Sequence, residues 1–203
     1  MPTTDPDGVT SVTAAMTPPA PCAPAPAAGS IRILGIDPGS QRTGVGIVDV
    51  DALGRSRHVH HQTLVLLGNA SFHLRLKQIF DDLGAVIGHW RPDEIAIERV
   101  FVARNNAESA LKLGQARGAA ICAAVRGGQP LHEYSASQVK QAVVGRGSAD
   151  KGQIQHMIAM LLSLTGRIQA DAADALAIAL THAHTRTTVG RTGVGRSSWR
   201  RMR

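Results

Sequence analysis

Residues 31–50, IRILGIDPGSQRTGVGIVDV, constrain the fold of this chain more than any other stretch. Ile31, Ile33, Leu34 and Ile36 form a short apolar run that stops at Asp37, and Pro38-Gly39-Ser40 turns the chain. Val45, Ile47, Val48 and Val50 follow at once, interleaved with Gly44 and Gly46. Two β-rich runs joined by a Pro/Gly/Ser turn predict neighbouring strands of one sheet. Asp37 then ends a buried strand, a costly place for a carboxylate unless it is paired, solvated or bound to a cation. Two readings stand at this point: Asp37 accepts hydrogen bonds from the turn, or it belongs to a functional site.

The rest of the chain is long enough to build a core around that pair. Its 203 residues are 43% hydrophobic, which suits one domain with some tail. The net charge of +7 points to an anionic partner. Much of the excess is local, because residues 1–30 carry only Asp5 and Asp7 while residues 182–203 carry six arginines and no acid. Removing those contributions leaves +3 for residues 31–181. Cys22 and Cys122 are the only cysteines, one in a Pro/Ala tract and one in an apolar run, so neither a disulfide framework nor a zinc site is indicated. No apolar run reaches membrane-spanning length and the N-terminus lacks a signal-peptide pattern, so the expectation is a soluble, intracellular protein with no membrane partner.

Composition divides the chain into a disordered Pro/Ala-rich extension (1–29), a folded domain (30–185) and a disordered Arg-rich tail (186–203). Within the domain, Ser56–Leu67 alternates as a third strand. Its His58, His60 and His61 read as solvated strand histidines, since His60 and His61 point to opposite faces and no further ligand follows. Ser71–Trp90 has helical spacing, and after Arg91-Pro92-Asp93 the run Glu94–Glu98 forms a fourth strand that ends on Glu98. Phe101 and Arg104 lie in the loop that follows; an exposed Phe beside a carboxylate would stack on nucleic-acid bases, and a tucked one would only pack on its own domain.

Asn106–Arg126 predicts the longest helix, apolar on two faces and rich in Gly114, Gly118, Ala119, Ala120, Ala123 and Ala124. Two apolar faces need two partners, so the helix is a candidate homodimer contact, with burial inside the monomer as the rival. Pro130–Tyr134 predicts a fifth strand and Ser135–Val144 a short helix carrying Lys140. The loop Gly145-Arg146-Gly147-Ser148 is basic, and Lys151 opens the next helix, where the dipole disfavours a cation; meeting a phosphate would explain it, as would plain solubility. The last helix, Gln169–Thr185, opens with Asp171 and Asp174, a spacing that suits a capping arrangement or a shared ligand face.

Strands with intervening helices predict an α/β sheet whose strand ends and helix starts converge on one edge. Asp37, Glu98, Asp171 and Asp174 would then share a cleft, and four carboxylates there repel unless divalent cations neutralise them. Mg²⁺ prefers carboxylate oxygens. Two such ions about 4 Å apart suit in-line phosphoryl displacement, so the general reading is a two-metal nuclease.

The order D…E…DxxD resembles the ribonuclease H/integrase superfamily, and the local motifs resemble its RuvC-type Holliday-junction resolvases. The matching segments are ILGIDPGSQRTGVGIV, AIERVF, NNAESALKLGQARGAAI, VKQAVVGRGSADKGQIQHM and QADAADALAIALTHAH, from Ile31 to His184. The resemblance implies a ribonuclease H-like five-stranded mixed sheet flanked by helices. It implies two Mg²⁺ per site (Mn²⁺ as substitute) on Asp37, Glu98, Asp171 and Asp174, with Lys151 as a further catalytic residue. It also implies DNA contacts from Phe101, Arg104, Lys140, Arg146 and Lys151, and a homodimer built through the Asn106–Arg126 helix. The expected activity is paired, symmetric nicking of four-way DNA junctions in recombination and repair, leaving 5′-phosphates, in a cytoplasmic, nucleoid-associated protein served by a branch-migration motor. Arg99 departs from the family pattern, in which Gln is common. An ATP-dependent kinase shares the first turn but needs a second lobe, and a non-catalytic junction binder would lack one or more of the acids.

Overall fold

A computed structural model describes residues 22–66, 68, 71–99, 107–145 and 150–192, the last four by their backbone alone. The strand pair read from the sequence is its centre: β1 (Ile31–Asp37) and β2 (Arg42–Val50) are antiparallel, with Asp37 opposite Gly44. β3 (Ser56–Val65) continues the meander on the far side of β2. β4 (Glu94–Arg99) joins the other edge of β1 in parallel, and β5 (Leu131–Ser135) joins β4 in parallel, giving the order β3-β2-β1-β4-β5. Parallel neighbours need crossovers. These are α1 (Phe72–Trp90) between β3 and β4, and α2 (Ala107–Val125) between β4 and β5. Then come α3 (Ala136–Val144), α4 (Lys151–Leu161) and α5 (Ala170–Thr192).

The sheet is covered on both faces, so its central strands are apolar in both directions. Leu34, Ile36, Val45, Ile47, Ile95 and Ile97 face α1 and α2, whereas Ile33, Val48, Val50 and Ala96 face α3, α4 and α5. α5 lies across β1 and β2 with α3 and α4 against its flanks, and its Leu176, Ile178 and Leu180 are fully buried. Each such side chain contributes about 1.5–3 kcal/mol.

Three packing features depart from the sequence expectation. α5 continues to Thr192, seven residues past the point where the apolar pattern fades at Thr185. Thr181, Thr185 and Thr187 hydroxyls donate to the carbonyls four residues back, so these polar residues stay compatible with the helix. Residues 22–29, expected to be disordered, include a segment tied to the end of α1: the Ala23 amide donates to the His89 carbonyl at 3.0 Å, and Arg32 Nη1 donates to the Pro24 carbonyl at 2.9 Å. Ala120, expected at a dimer contact, is fully buried between α2 and the α1 side of the core. The outward stripe of α2 is instead Leu111, Gly114, Gly118 and Val125, with Leu111 62% exposed and nothing within 4 Å of a side chain placed on either glycine.

The amino end of the sheet holds a buried ion pair that polar/apolar patterning did not single out. Arg32 and Asp49, partners in the β1–β2 register, bond in a two-pronged fashion at 2.8 and 3.0 Å. A bulge in the β2–β3 ladder between Ile47 and Val48 changes the histidine arrangement as well. It brings His58 and His61 into contact at 2.8 Å, while His60 stacks on Trp90.

Candidate active site

The geometry of the site starts from three glycines. Gly35, Gly44 and Gly46 face α5, and a Cβ on them would stand 2.1 Å from the Ala175 carbonyl oxygen, 1.9 Å from the Asp171 carbonyl oxygen and 2.5 Å from the Leu176 nitrogen. The helix backbone therefore rests directly on the strand backbone, with no side chain between them. This contact sets the first turn of α5 against the carboxyl end of β1, where Asp37 stands opposite Gly44.

Asp37 from β1, Glu98 from β4 and Asp174 from α5 line one cleft of about 300 Å³. Lys140 from α3 and Lys151 from α4 line it too, and Ala136, Val139, Ile154 and Ile178 form its apolar wall. Asp171 stands outside those walls, close enough for its charge to act on Asp37 and Asp174. Phe101, Arg104 and Arg146 lie outside the described residues, as do most of the N-terminal extension and the end of the tail.

The electrostatics of the cleft are those of crowded acids. Burial, then Asp174, Glu98 and Asp171, push the Asp37 carboxyl up to about 8, with Lys151 pulling the other way. Glu98 is raised by burial and by Asp174, against Lys151 and Lys140. Asp174 is raised by burial and Asp171, against Lys151. Among the described residues no turn amide donates to the Asp37 carboxylate; the turn is held by Thr43, whose hydroxyl donates to the Gly39 carbonyl, and by Arg75, which donates to the Ser40 carbonyl. Nor do Asp171 and Asp174 cap α5. The capping boxes are at α3, with Ser135 and Gln138, and at α4, with Asp150 and Gln153. Those boxes fix the helix starts that bear Lys140 and Lys151.

This donor set fits divalent magnesium. Its anionic groups are all carboxylates, the hard oxygen ligands that the ion takes, and a cation would relieve the repulsion that raises them.

One contributor escaped the sequence reading. Arg117 of α2 donates through Nε to the Glu98 carbonyl at 3.0 Å and pairs with Glu133 of β5 at 2.9 Å. The available signal was a lone cation in the Ala/Gly-rich run LGQARGAA. Arg99 reaches the same Glu133 at 3.6 Å, so it joins a bridge between β4 and β5.

The family model for crossover junction endodeoxyribonuclease RuvC matches residues 33–182. The chain belongs to the RuvC family. A RuvC of Xanthomonas euvesicatoria pv. vesicatoria is 60% identical over 173 residues, 85% of this chain and 99% of that one. A RuvC of Xylella fastidiosa is 62% identical over 171 residues, 84% of this chain and 98% of that one. Among solved structures, T. thermophilus RuvC in complex with Holliday junction substrate superposes with a TM-score of 0.72 at 34% identity, covering 78% of this chain and 96% of that one. The yeast mitochondrial Holliday junction resolvase Ydc2, at 14% identity and a TM-score of 0.59, shares the fold. The ribonuclease H-like sheet expected from the sequence is thus the fold of the RuvC family, and the kinase alternative falls away. Among the described residues no helix is long and apolar enough to cross a membrane.

Proposed function

We propose that this RuvC protein resolves four-way DNA junctions by Mg²⁺-dependent hydrolysis of one phosphodiester in each of two opposed strands, leaving 5′-phosphates and 3′-hydroxyls. The observation that carries the reading is the cleft in which Asp37, Glu98 and Asp174 meet from three separate elements, with Lys140 and Lys151 facing them. Asp37, Glu98, Asp174 and the neighbouring Asp171 would hold two Mg²⁺, with Mn²⁺ as substitute. Bound there, the ions supply charge neutralisation for the transferring phosphoryl group and acidify water.

The chain's own groups do the remainder. Lys151 and Lys140 offset the acids and meet the incoming phosphate, which a bare cluster of carboxylates would repel. The apolar wall of Ala136, Val139, Ile154 and Ile178 limits water and strengthens these interactions. Arg117 holds the Glu98 backbone, and so sets where that carboxylate emerges from β4. Arg104 and Arg146 add phosphate contacts, and Phe101 stacks on bases at the junction.

Each protomer carries one such cleft, so paired nicks require two copies. The outward stripe of α2 supports a homodimer through that helix, and the two-fold axis would set the spacing that selects junctions, since phosphates carry no sequence information. The protein would act in the cytoplasm at the nucleoid, receiving junctions from a branch-migration motor.

The test is incubation of the full chain with a synthetic four-way junction and Mg²⁺, with nicks mapped on all four arms. Symmetric nicks in two opposed strands are expected, and Asp37→Asn should cut at least about 10²–10³-fold more slowly while still binding junctions. An uncut junction, or normal turnover by Asp37→Asn, ends the proposal.

A further inference from the structure

β4 carries an acid at each end, and only Glu98 belongs to the cleft. Glu94 lies four residues earlier on the same face of the sheet, beyond the buried Ala96. α5 runs antiparallel to this strand, so Asp174 stands by Glu98 and His182 stands by Glu94. His182 Nε2 is 2.5 Å from Glu94 Oε2, and its Nδ1 is 2.7 Å from Tyr134 Oη. His132 of β5, in register with Ala96, stacks on His182 with ring centroids 4.1 Å apart. Among the described residues the His132 ring has no hydrogen-bond partner. One ligand atom from each of Glu94, His132 and His182 lies within 4.8 Å of the other two.

We propose that Glu94, His132 and His182 form a second metal site, for one cation of the Zn²⁺ class, that fastens α5 to the amino ends of β4 and β5. Two imidazoles and a carboxylate are a three-ligand set that zinc takes, with water in the fourth position. Imidazole nitrogen disfavours Mg²⁺, so the two sites sort cations by donor chemistry. The surrounding groups are those that orient ligands. Without the cation, His182 Nε2–H donates to Glu94 and Tyr134 Oη–H donates to Nδ1. With Nε2 on the cation that proton is released, the ring takes the Nδ1–H tautomer and Tyr134 Oη accepts from it, while Arg186 Nε donates to the other Glu94 oxygen at 3.0 Å. Ligand atoms on a tetrahedral zinc stand about 3.3 Å apart, so the cation opens the Glu94–His182 contact and draws His132 in. The Glu94 side chain is 19% exposed, which gives the ion an entry path.

The site is distinct from the nuclease cleft. Glu94 and Glu98 are four residue steps apart along the strand, about 13 Å, and His182 and Asp174 are eight steps apart along the helix, about 12 Å. Its occupant acts on the fold, by pinning the far half of the helix whose first turn bears Asp171 and Asp174.

Co²⁺ titrated into the full chain without Mg²⁺ tests this, because four-coordinate Co²⁺ absorbs strongly in the visible and an all-oxygen octahedral ion does not. One equivalent is expected to give those bands in the wild type and in Asp37→Asn. His132→Phe, which keeps the ring stack, and Glu94→Gln should each weaken binding at least tenfold. Zn²⁺ should displace the Co²⁺ and raise the melting temperature of the wild type but not of His132→Phe. Absent bands in the wild type, bands that survive both His132→Phe and Glu94→Gln, or bands lost in Asp37→Asn would each overturn the assignment.

Discussion

Replacing Gly46 by alanine puts one methyl group into the seam between β2 and α5. Its Cβ would stand 2.5 Å from the Leu176 nitrogen, 2.8 Å from the Leu176 Cα and 2.9 Å from the Ala175 carbonyl carbon. All are backbone atoms, so no rotamer change relieves the clash. To restore ordinary contact at 3.4 Å the helix must withdraw by about 0.9 Å at that point. Asp174 lies two residues before Leu176 and moves with it, while Asp37 and Glu98 stay on their strands. A misplacement of about 1 Å in a catalytic constellation lowers rates about 10²-fold, and overpacking of this kind costs about 1–3 kcal/mol of stability. Gly46→Ala should therefore cut a four-way junction about 10²-fold more slowly in single-turnover assays at saturating Mg²⁺. It should bind the junction nearly as well as the wild type and melt at a lower temperature. Gly84→Ala is the control: a side chain there meets nothing within 4 Å on α1, so it should stabilise by up to about 1 kcal/mol and leave cleavage unchanged. Wild-type cleavage and melting in Gly46→Ala would refute the idea that glycine-mediated contact sets the carboxylates.

The crowded acids give the metal-free protein a pH dependence of definite sign. Asp37 rises from 3.8 to about 8 on folding, mainly by burial, so between those values the native state holds a proton that the unfolded chain has released. Stability then falls as pH rises through that window, by up to about 1.4 kcal/mol per pH unit; urea midpoints in EDTA should drop from pH 5 to pH 8, and Mg²⁺ or Asp37→Asn should flatten the slope. Arg32→Met strands the buried Asp49 carboxylate, a loss of about 3–5 kcal/mol for an unaided pair. Arg57 at 3.3 Å remains as a partner and puts the expected value at the low end, and adding Asp49→Leu should restore most of it; no loss in urea unfolding would contradict the role of the pair. Cysteines placed at Leu111 or Gly118, with Cys22 and Cys122 replaced by serine, should link two copies on oxidation, whereas Ala120→Cys should not. Absence of linked dimers at both outward positions would count against α2 as the interface.

How much of this was legible in the sequence follows from how local each cause is. The order of strands and helices, and the strand-end positions of Asp37 and Glu98, come from periodicity interrupted by Pro, Gly and acids, which acts over a few residues. That Ala120 faces inward and Leu111 outward was not legible. Both faces of α2 are small or apolar, and only the arrival of α1 on one of them decides the question. His58 and His61 meet because one extra residue in β3 shifts the pairing, and strict alternation contains no sign of such a bulge. Whether Asp171 and Asp174 cap α5 or share a ligand face stayed open in the sequence for a related reason. Their spacing fits either use, and only the packing of α5 on the sheet, which sets Asp174 in the cleft beside Glu98, separates them.

The glycines join the legible part to the rest. Gly35, Gly44 and Gly46 look like weak points in two strands, since glycine packs nothing and orders at an entropic cost. Their use emerges only when α5 arrives more than a hundred residues later, carrying the small Ala172, Ala173, Ala175 and Ala179. Small residues on both sides bring two backbones into contact, and that contact permits acids from β1 and α5 to share one cleft. A larger side chain on either side would preserve the sheet, the helix and each carboxylate, and would separate the carboxylates from one another. Function in this chain therefore depends on what the glycines and alanines omit as much as on the acids themselves.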